Sequence, residues 1–322
     1  MPWSPCKNGY KAARKLSLCM PIQPSRLDGI TPMKARLFLL LASLCLTQCV
    51  QQEFQTAPTP PTFQPGVAPS ASSAPTPIAQ PRASALWQQA STVRSSLLAS
   101  GAQFYEFTAR SAEGTAEVSV VIFDSQRCAL RVLDQPTAHA GGQVLASTMR
   151  QAGAIAGVNG GFFHPDFSTL GLMIADGRTT GQFMRSSLVS GAMVVIGQEP
   201  YLVWNSEFLG EKGVTQMLQA GPRLVDSGQP LPTLNRTKFA ARSFIATDGQ
   251  RLWALGTVRS TTLAGLGELL ASDGLLPGMQ VQRALNFDGG RSTALYVRQT
   301  ENQEISRPGW STVRNYVAVV PK

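Results

Sequence analysis

Between Thr56 and Ala85 the chain carries eight prolines and one charge, Arg82, in a background dominated by Ala, Ser and Thr. Proline fixes φ and removes a backbone donor. A stretch so poor in large apolar side chains cannot bury a core, and it reads as an extended, disordered spacer. This limits where a fold can begin. Whatever packs must start near Leu86, which leaves residues 86–322, enough for one large domain or two small ones.

What precedes the spacer is a targeting segment. "MKARLFLLLASLCLTQC" starts at Met33, with Lys34 and Arg36 as a positive region and Leu37 to Leu46 as an apolar one. The apolar run is too short to span a bilayer as a mature helix, so residues 33–49 read as an export signal. Residues 1–32 are polar, irregular and Pro-containing; they read as a non-native upstream extension with Met33 as the true start, the alternative being a long n-region. The signal ends in "LTQC", similar to a bacterial lipoprotein box in which Cys49 is lipidated and becomes the mature N-terminus. Gln48 stands where such boxes carry a small residue, and ordinary signal cleavage is the alternative. With residues 50–85 as a tether, the expected location is outside the cytoplasm, in the cell envelope or beyond it, with a lipid on Cys49 as the membrane anchor.

The formal charge of +9 suggests nucleic acid until it is located. Residues 1–85 hold eight Lys/Arg against two Asp/Glu, and residues 86–322 hold twenty against seventeen. The folded part is close to balance, so the electrostatic footprint of a nucleic-acid binder is missing. Of the cysteines at 6, 19, 45, 49 and 128, only Cys128 lies beyond residue 85. That rules out a disulfide within the domain, and no Cys/His cluster has zinc spacing.

From Leu86 onward short apolar and alternating runs dominate. "QFYEFTAR" and "EVSVVIFD" read as antiparallel strands, "AMVVIG" and "YLVW" as a hairpin over "QEP", and "RSFIATDGQRLWALGTV" as a hairpin turned at Asp248-Gly249. "TALYVRQTENQEIS" is a further hairpin and "NYVAVV" a last strand. Helices are expected over Gln143 to Gln151 and from Thr261/Thr262 to Gly274, where Leu263, Leu266, Leu269 and Leu270 share a face. The expected class is α+β, a mostly antiparallel or mixed sheet with a few flanking helices, in one domain over 86–322.

Two strand ends look alike. "AIAGVNGGFFHPD" (Ala154 to Asp166) and "ALNFDGGRSTALYV" (Ala284 to Val297) each run apolar, then reach Asn or Asp, then Gly-Gly. Asn-Gly and Asp-Gly are strong hairpin signals, so tight turns are one reading. The other is a site, with glycines that let a ligand approach the main chain and a polar side chain held on a rigid strand tip. Asp288 can serve as acid, base, nucleophile or metal ligand. Gly289, Gly290, Arg291, Ser292 and Thr293 offer N–H groups, a guanidinium and hydroxyls, which suit an anion such as phosphate. Phe162 and Phe163 could stack on a sugar ring or sit in the core, and His164 could move a proton or occupy a surface turn. A G-x-S-x-G elbow, a Walker loop, HExxH and a G-x-G-x-x-G after a strand are all missing.

In this order, "GVNGGFFHPDFSTLGLMIADGR", "QAGPRLVDSGQPL", "ARSFIATDGQRLWALGTV", the Leu-rich helix and "ALNFDGGRSTALYV" resemble the phosphodiester glycosidase family, over roughly 100–320. The resemblance implies a hydrolase that cleaves a sugar–phosphate diester at the anomeric carbon, releasing the sugar and leaving a phosphomonoester. It carries over Asn159 with Gly160 and Gly161, Arg242 in "ARSF", and Asp288 with Gly289 and Gly290. Arg291 stands where the family usually has a small residue. It would either add a phosphate ligand or crowd the cleft. The expected catalytic set is Asp288, Asn159 and His164. The expected substrate-binding set is Gly160, Gly161, Phe163, Arg242, Gly289, Gly290, Arg291, Ser292 and Thr293. A second acid is left open, with Asp166 and Asp176 nearby. No cofactor or resident metal is expected, though a divalent ion stays open. The expected partner is a phosphate-bearing glycan or glycosyl phosphodiester. A non-catalytic phosphoglycan-binding protein and an exopolysaccharide glycosidase are the alternatives.

Overall fold

Runs such as "VSVVIF" and "SFIA" hold apolar residues at consecutive rather than alternate positions, as a strand does when both its faces are covered. The computed structural model describes residues 87–137 and 144–322 and shows the cover on each side. A nine-stranded sheet runs through Gln103–Ser111, Gly114–Asp124, Leu252–Thr261, Ala240–Thr247, Arg283–Asn286 and Arg223–Asp226 as successive neighbours. On one face, Phe244, Ala246, Val120 and Val258 pack against Leu266, Leu269 and Leu270 of a helix. On the other, Ile245, Leu255, Val121 and Phe104 pack against residues of two five-stranded sheets, among them Val158, Val317, Met193 and Leu218.

Every pairing between the described strands is antiparallel. The expected hairpins form: Gly191–Ile196 with Glu199–Trp204, Ala240–Thr247 with Leu252–Thr261, and Leu295–Arg298 with Glu304–Arg307. The described part is therefore β-dominated, with two α-helices, Leu145–Gln151 (α1) and Leu263–Ala271 (α2). The start of α2 is fixed by Thr262, whose hydroxyl accepts from the Gly265 N–H at 2.9 Å, the usual N-cap arrangement. Cys128 is buried and free, and burial pushes its thiol pKa up, so it behaves as a small apolar residue. The export signal, Cys49, the spacer and Gln143 lie outside the described residues. Among those described, no helix is long and apolar enough to cross a membrane.

Candidate active site

Neither Gly-Gly tip is a hairpin turn. Ala156–Asn159 lies between Leu295–Arg298 and Asn315–Pro321, and Arg283–Asn286 lies between Arg223–Asp226 and Ala240–Thr247. Each of the two strands ends in the middle of its own sheet, and the two tips meet. The Asp288 N–H donates to the Gly160 carbonyl at 3.0 Å, and Asn159 Nδ2 donates to the Asp288 carbonyl at 2.7 Å.

Asn159 is fully buried. Its Oδ1 accepts from Ser243 Oγ at 2.6 Å and from the Ala294 N–H at 3.0 Å. The side chain is thus satisfied within the protein, and it ties strands of two sheets to the Asp288 tip and to Ala294. Gly160 and Gly161 donate their N–H groups to the Asn315 carbonyl and to Asn315 Oδ1, at 2.9 and 2.8 Å. A Cβ at Gly160 would run into Asn315 Oδ1 and come within 2.8 Å of Leu218. Glycine is required here by packing, and neither N–H is left to hold an anion.

The second tip is built differently. Asp288 is partly buried, and burial pushes its carboxyl pKa up, while hydrogen bonds from the Ser292 hydroxyl and the Gly289 N–H pull it back down. A Cβ at Gly289 would meet the Ala241 carbonyl at 2.8 Å, so glycine lets this turn pass close over the Ala240–Thr247 strand. Gly290 has φ +62°, in the left-handed region, with open space around its Cβ position.

Asp288 lines a cleft of about 270 Å³ and is its only carboxylate among the described residues. Arg242, Lys238, Asn235, Asn286 and Phe162 line it too. Arg242 is 8% exposed, and burial lowers its pKa. Its recorded partners are carbonyl oxygens, of Lys238 at 2.7 Å and Thr261 at 3.5 Å. It is a buried cation facing a cleft without a carboxylate bonded to it. Asn286 is also buried; its Nδ2 reaches the Gly221 carbonyl at 2.8 Å, while its Oδ1 has no partner.

The remaining expected site residues are dispersed. Phe163 packs into a core cluster with Tyr296 and Tyr316 and meets Phe167 edge to face at 5.3 Å, while Phe162, one position away, faces the cleft. His164 is exposed on the turn closed by the Phe167 N–H to its carbonyl, and it does not line the cleft. Arg291 is exposed and lies outside the lining of the cleft; its carbonyl accepts from the N–H groups of Trp310 and Ser311. Ser292 is buried against Asp288, and the Thr293 hydroxyl is buried without a partner. Asp166 binds its own turn through Ser168, and Asp176 pairs with Arg131 at 2.9 Å; neither reaches the cleft. No group of three His, Cys, Asp or Glu side chains comes together among the described residues.

Lys238, Asn235, Asn286, Ser243 and Asn315 were not anticipated. Asn286 and Asn315 carried a usable signal, since each is an amide inside or at the edge of a buried apolar run ("ALNF", "NYVAVV"). Lys238 and Asn235 sit in a polar loop and carried none.

Residues 152–320 match the model of a family described as phosphodiester glycosidase. No curated protein matches the chain. Among solved structures, the catalytic domain of zebrafish N-acetylglucosamine-1-phosphodiester alpha-N-acetylglucosaminidase, auto-inhibited by its pro-peptide, is 14% identical, with a TM-score of 0.48 over 75% of this chain and 87% of that one. A hypothetical protein from Synechocystis is 16% identical, with a TM-score of 0.48 over 72% and 64%. A Burkholderia pseudomallei protein described as exported is 14% identical, with a TM-score of 0.41 over 66% and 77%.

Proposed function

We propose, from the premise that this chain belongs to the phosphodiester glycosidase family, that its Asp288 cleft cleaves a glycosyl phosphodiester at the anomeric carbon. The observation that carries the reading is Arg242: a buried guanidinium bonded to carbonyls alone, in one cleft with a partly buried carboxylate. Burying an unpaired charge is costly, and a phosphodiester entering the cleft would supply the missing anion. Lys238, exposed at the same wall, adds a second cation.

The chemistry follows from these parts. The bond between C1 and the bridging oxygen breaks, and its electron pair stays with the phosphate, which leaves as a phosphomonoester. Phosphate needs little protonation to leave, so one carboxylate can suffice where glycosidases commonly use two. Ionised Asp288 would steady the cation-like sugar and take a proton from the water that adds to C1. Donors aimed at the departing phosphate contribute on the order of ~3 kcal/mol each in a dry site. Phe162 offers an apolar surface to the sugar ring. Asn159 acts as a positioning residue, since its amide is consumed in holding the Asp288 tip. Export and tethering in the cell envelope through Cys49 complete the reading, and a phosphate-bearing glycan there is its substrate.

A second reading, a phosphoglycan-binding protein without turnover, is favoured by the single carboxylate in the cleft. Incubating the full chain with methyl GlcNAc-1-phosphate and related diesters, and following reducing sugar, separates the two. The hydrolase reading expects sugar release that Asp288→Asn abolishes and Arg242→Ala slows mainly through KM. Equal, slow release by wild type and Asp288→Asn would overturn the assignment of Asp288, and binding without release would favour the second reading. Membrane partitioning that persists in a Cys49→Ser protein would remove the lipid anchor.

A further inference from the structure

A second and larger cavity, of about 650 Å³, opens on the other side of Gly290, which lines both. Its size falls within the usual range for ligand sites, roughly 300–1,000 Å³. The sheet register shows that its floor is built and not left over. On the face of the nine-stranded sheet that packs against the other two sheets, Ile245, Leu255, Val121 and Phe104 lie side by side on adjacent strands. Two residues further along the same strands, still on that face, the neighbours are Ser243, Thr257, Ser119 and Glu106, with Arg94 opposite Glu106 on the next strand. The face changes abruptly from apolar to hydrogen-bonding. Ser119 and Thr257 are nonetheless only 8% exposed each, so this is an enclosed polar floor and not an open surface.

The row runs from the catalytic clip to an unpaired cation. At one end Ser243 donates to Asn159. At the other, Arg94 is exposed with no ion pair recorded among the described residues. In between, Arg307 closes over the floor, at 3.0 Å from Ser119 Oγ and 2.7 Å from Glu106. Thr293 contributes to the wall, with its hydroxyl buried away from solvent. Trp310, at the rim, is 85% exposed, and its backbone N–H donates to the Arg291 carbonyl at 2.7 Å, which ties the rim to the turn that carries Asp288. Hydroxyls, a free guanidinium and an exposed indole suit a ligand that alternates sugar rings with phosphates.

We infer that this groove holds the continuation of a polymeric substrate, a phosphodiester-linked oligosaccharide whose next units run from the Asp288 cleft past Gly290 towards Arg94 and Trp310. The inference rests on the hydrolase reading of the Asp288 cleft and adds that the substrate is a chain rather than a single glycosyl phosphodiester.

The test compares two substrates on the full chain: methyl GlcNAc-1-phosphate, and a four-unit GlcNAc oligomer joined by phosphodiesters between C1 and C6. Wild type is expected to show a kcat/KM at least tenfold higher on the oligomer. The double variant Arg94→Ala/Trp310→Ala, at two exposed positions, is expected to lose that advantage through KM and to leave the methyl diester unchanged. A wild type without preference for the oligomer, or a variant that lowers both substrates equally or neither, overturns the groove assignment. If wild type turns over neither substrate, the hydrolase reading fails, and calorimetry with the oligomer judges the groove by itself. Binding kept by Asp288→Asn and lost by the double variant supports it; binding that is absent, or equal in wild type and double variant, overturns it.

Discussion

The two strand tips share a pattern, apolar run then Asn or Asp then Gly-Gly, and they do opposite work. At Asn159 every polar group turns inward: the amide bonds Ser243, Ala294 and Asp288, and both glycine N–H groups are taken by Asn315. At Asp288 the carboxyl faces a cleft, its pKa raised by burial, and Gly290 has nothing near its Cβ position. The first tip is a clip, and the second presents a carboxyl to a cleft. Similar sequence at two strand ends therefore does not mean similar chemistry. What separates them is whether neighbouring chain satisfies the polar groups.

That contrast can be broken by substitution. The largest effect is expected at Asp288→Asn, which should cost roughly a thousandfold in sugar release while the protein stays folded. The stability sign is opposite. A carboxyl whose pKa is raised in the native state contributes stability below its unfolded pKa and loses it as pH rises through the folded value. The Asn variant should therefore melt above wild type at neutral pH, with the difference vanishing below the ordinary aspartate range. Melting curves at several pH values check this, and an Asn variant less stable at neutral pH would contradict it.

The clip should fail in the other currency, stability. Asn159→Ala leaves the Ser243 hydroxyl, the Ala294 N–H and the Asp288 carbonyl without their partner, and is expected to cost about 3 kcal/mol in denaturant unfolding. Next come the glycines. Gly160→Ala drives a methyl into Asn315 and Leu218 and should cost about 2 kcal/mol. Gly290→Ala meets open space and should cost about 1 kcal/mol, from its positive φ alone. Equal losses at the two glycines would erase the distinction between a packed tip and an open one. The smallest effect is expected at Ser292→Ala. Removing a hydroxyl that holds the Asp288 pKa down should move the acid limb of kcat/KM to higher pH, and a limb that stays in place would detach Asp288 from it.

Much of the fold was legible. The hairpins around Gly191–Trp204 and Ala240–Thr261 follow from β-rich runs parted by turn residues, and α2 follows from Thr262 and the leucine spacing. The site was legible in part. Arg242, Asp288, Gly289 and Gly290 line one cleft, whereas Arg291 and His164 are exposed and outside its lining. Phe162 and Phe163 could not be told apart, because only the path of the chain decides which of two adjacent rings meets the cleft.

The sequence by itself determined the hairpin strands, the leucine-rich helix and which two tips deserved scrutiny. These follow from composition and short periods, which are local properties. Only the tertiary structure decided that one tip is satisfied within the protein while the other opens on a cleft, that Arg242 is enclosed and Arg291 is not, and that a polar row runs from Ser243 to Arg94. Burial and hydrogen-bond satisfaction depend on partners far along the chain, as with Asn315, which is 154 residues from the Gly161 it holds. No window of neighbouring residues contains that information.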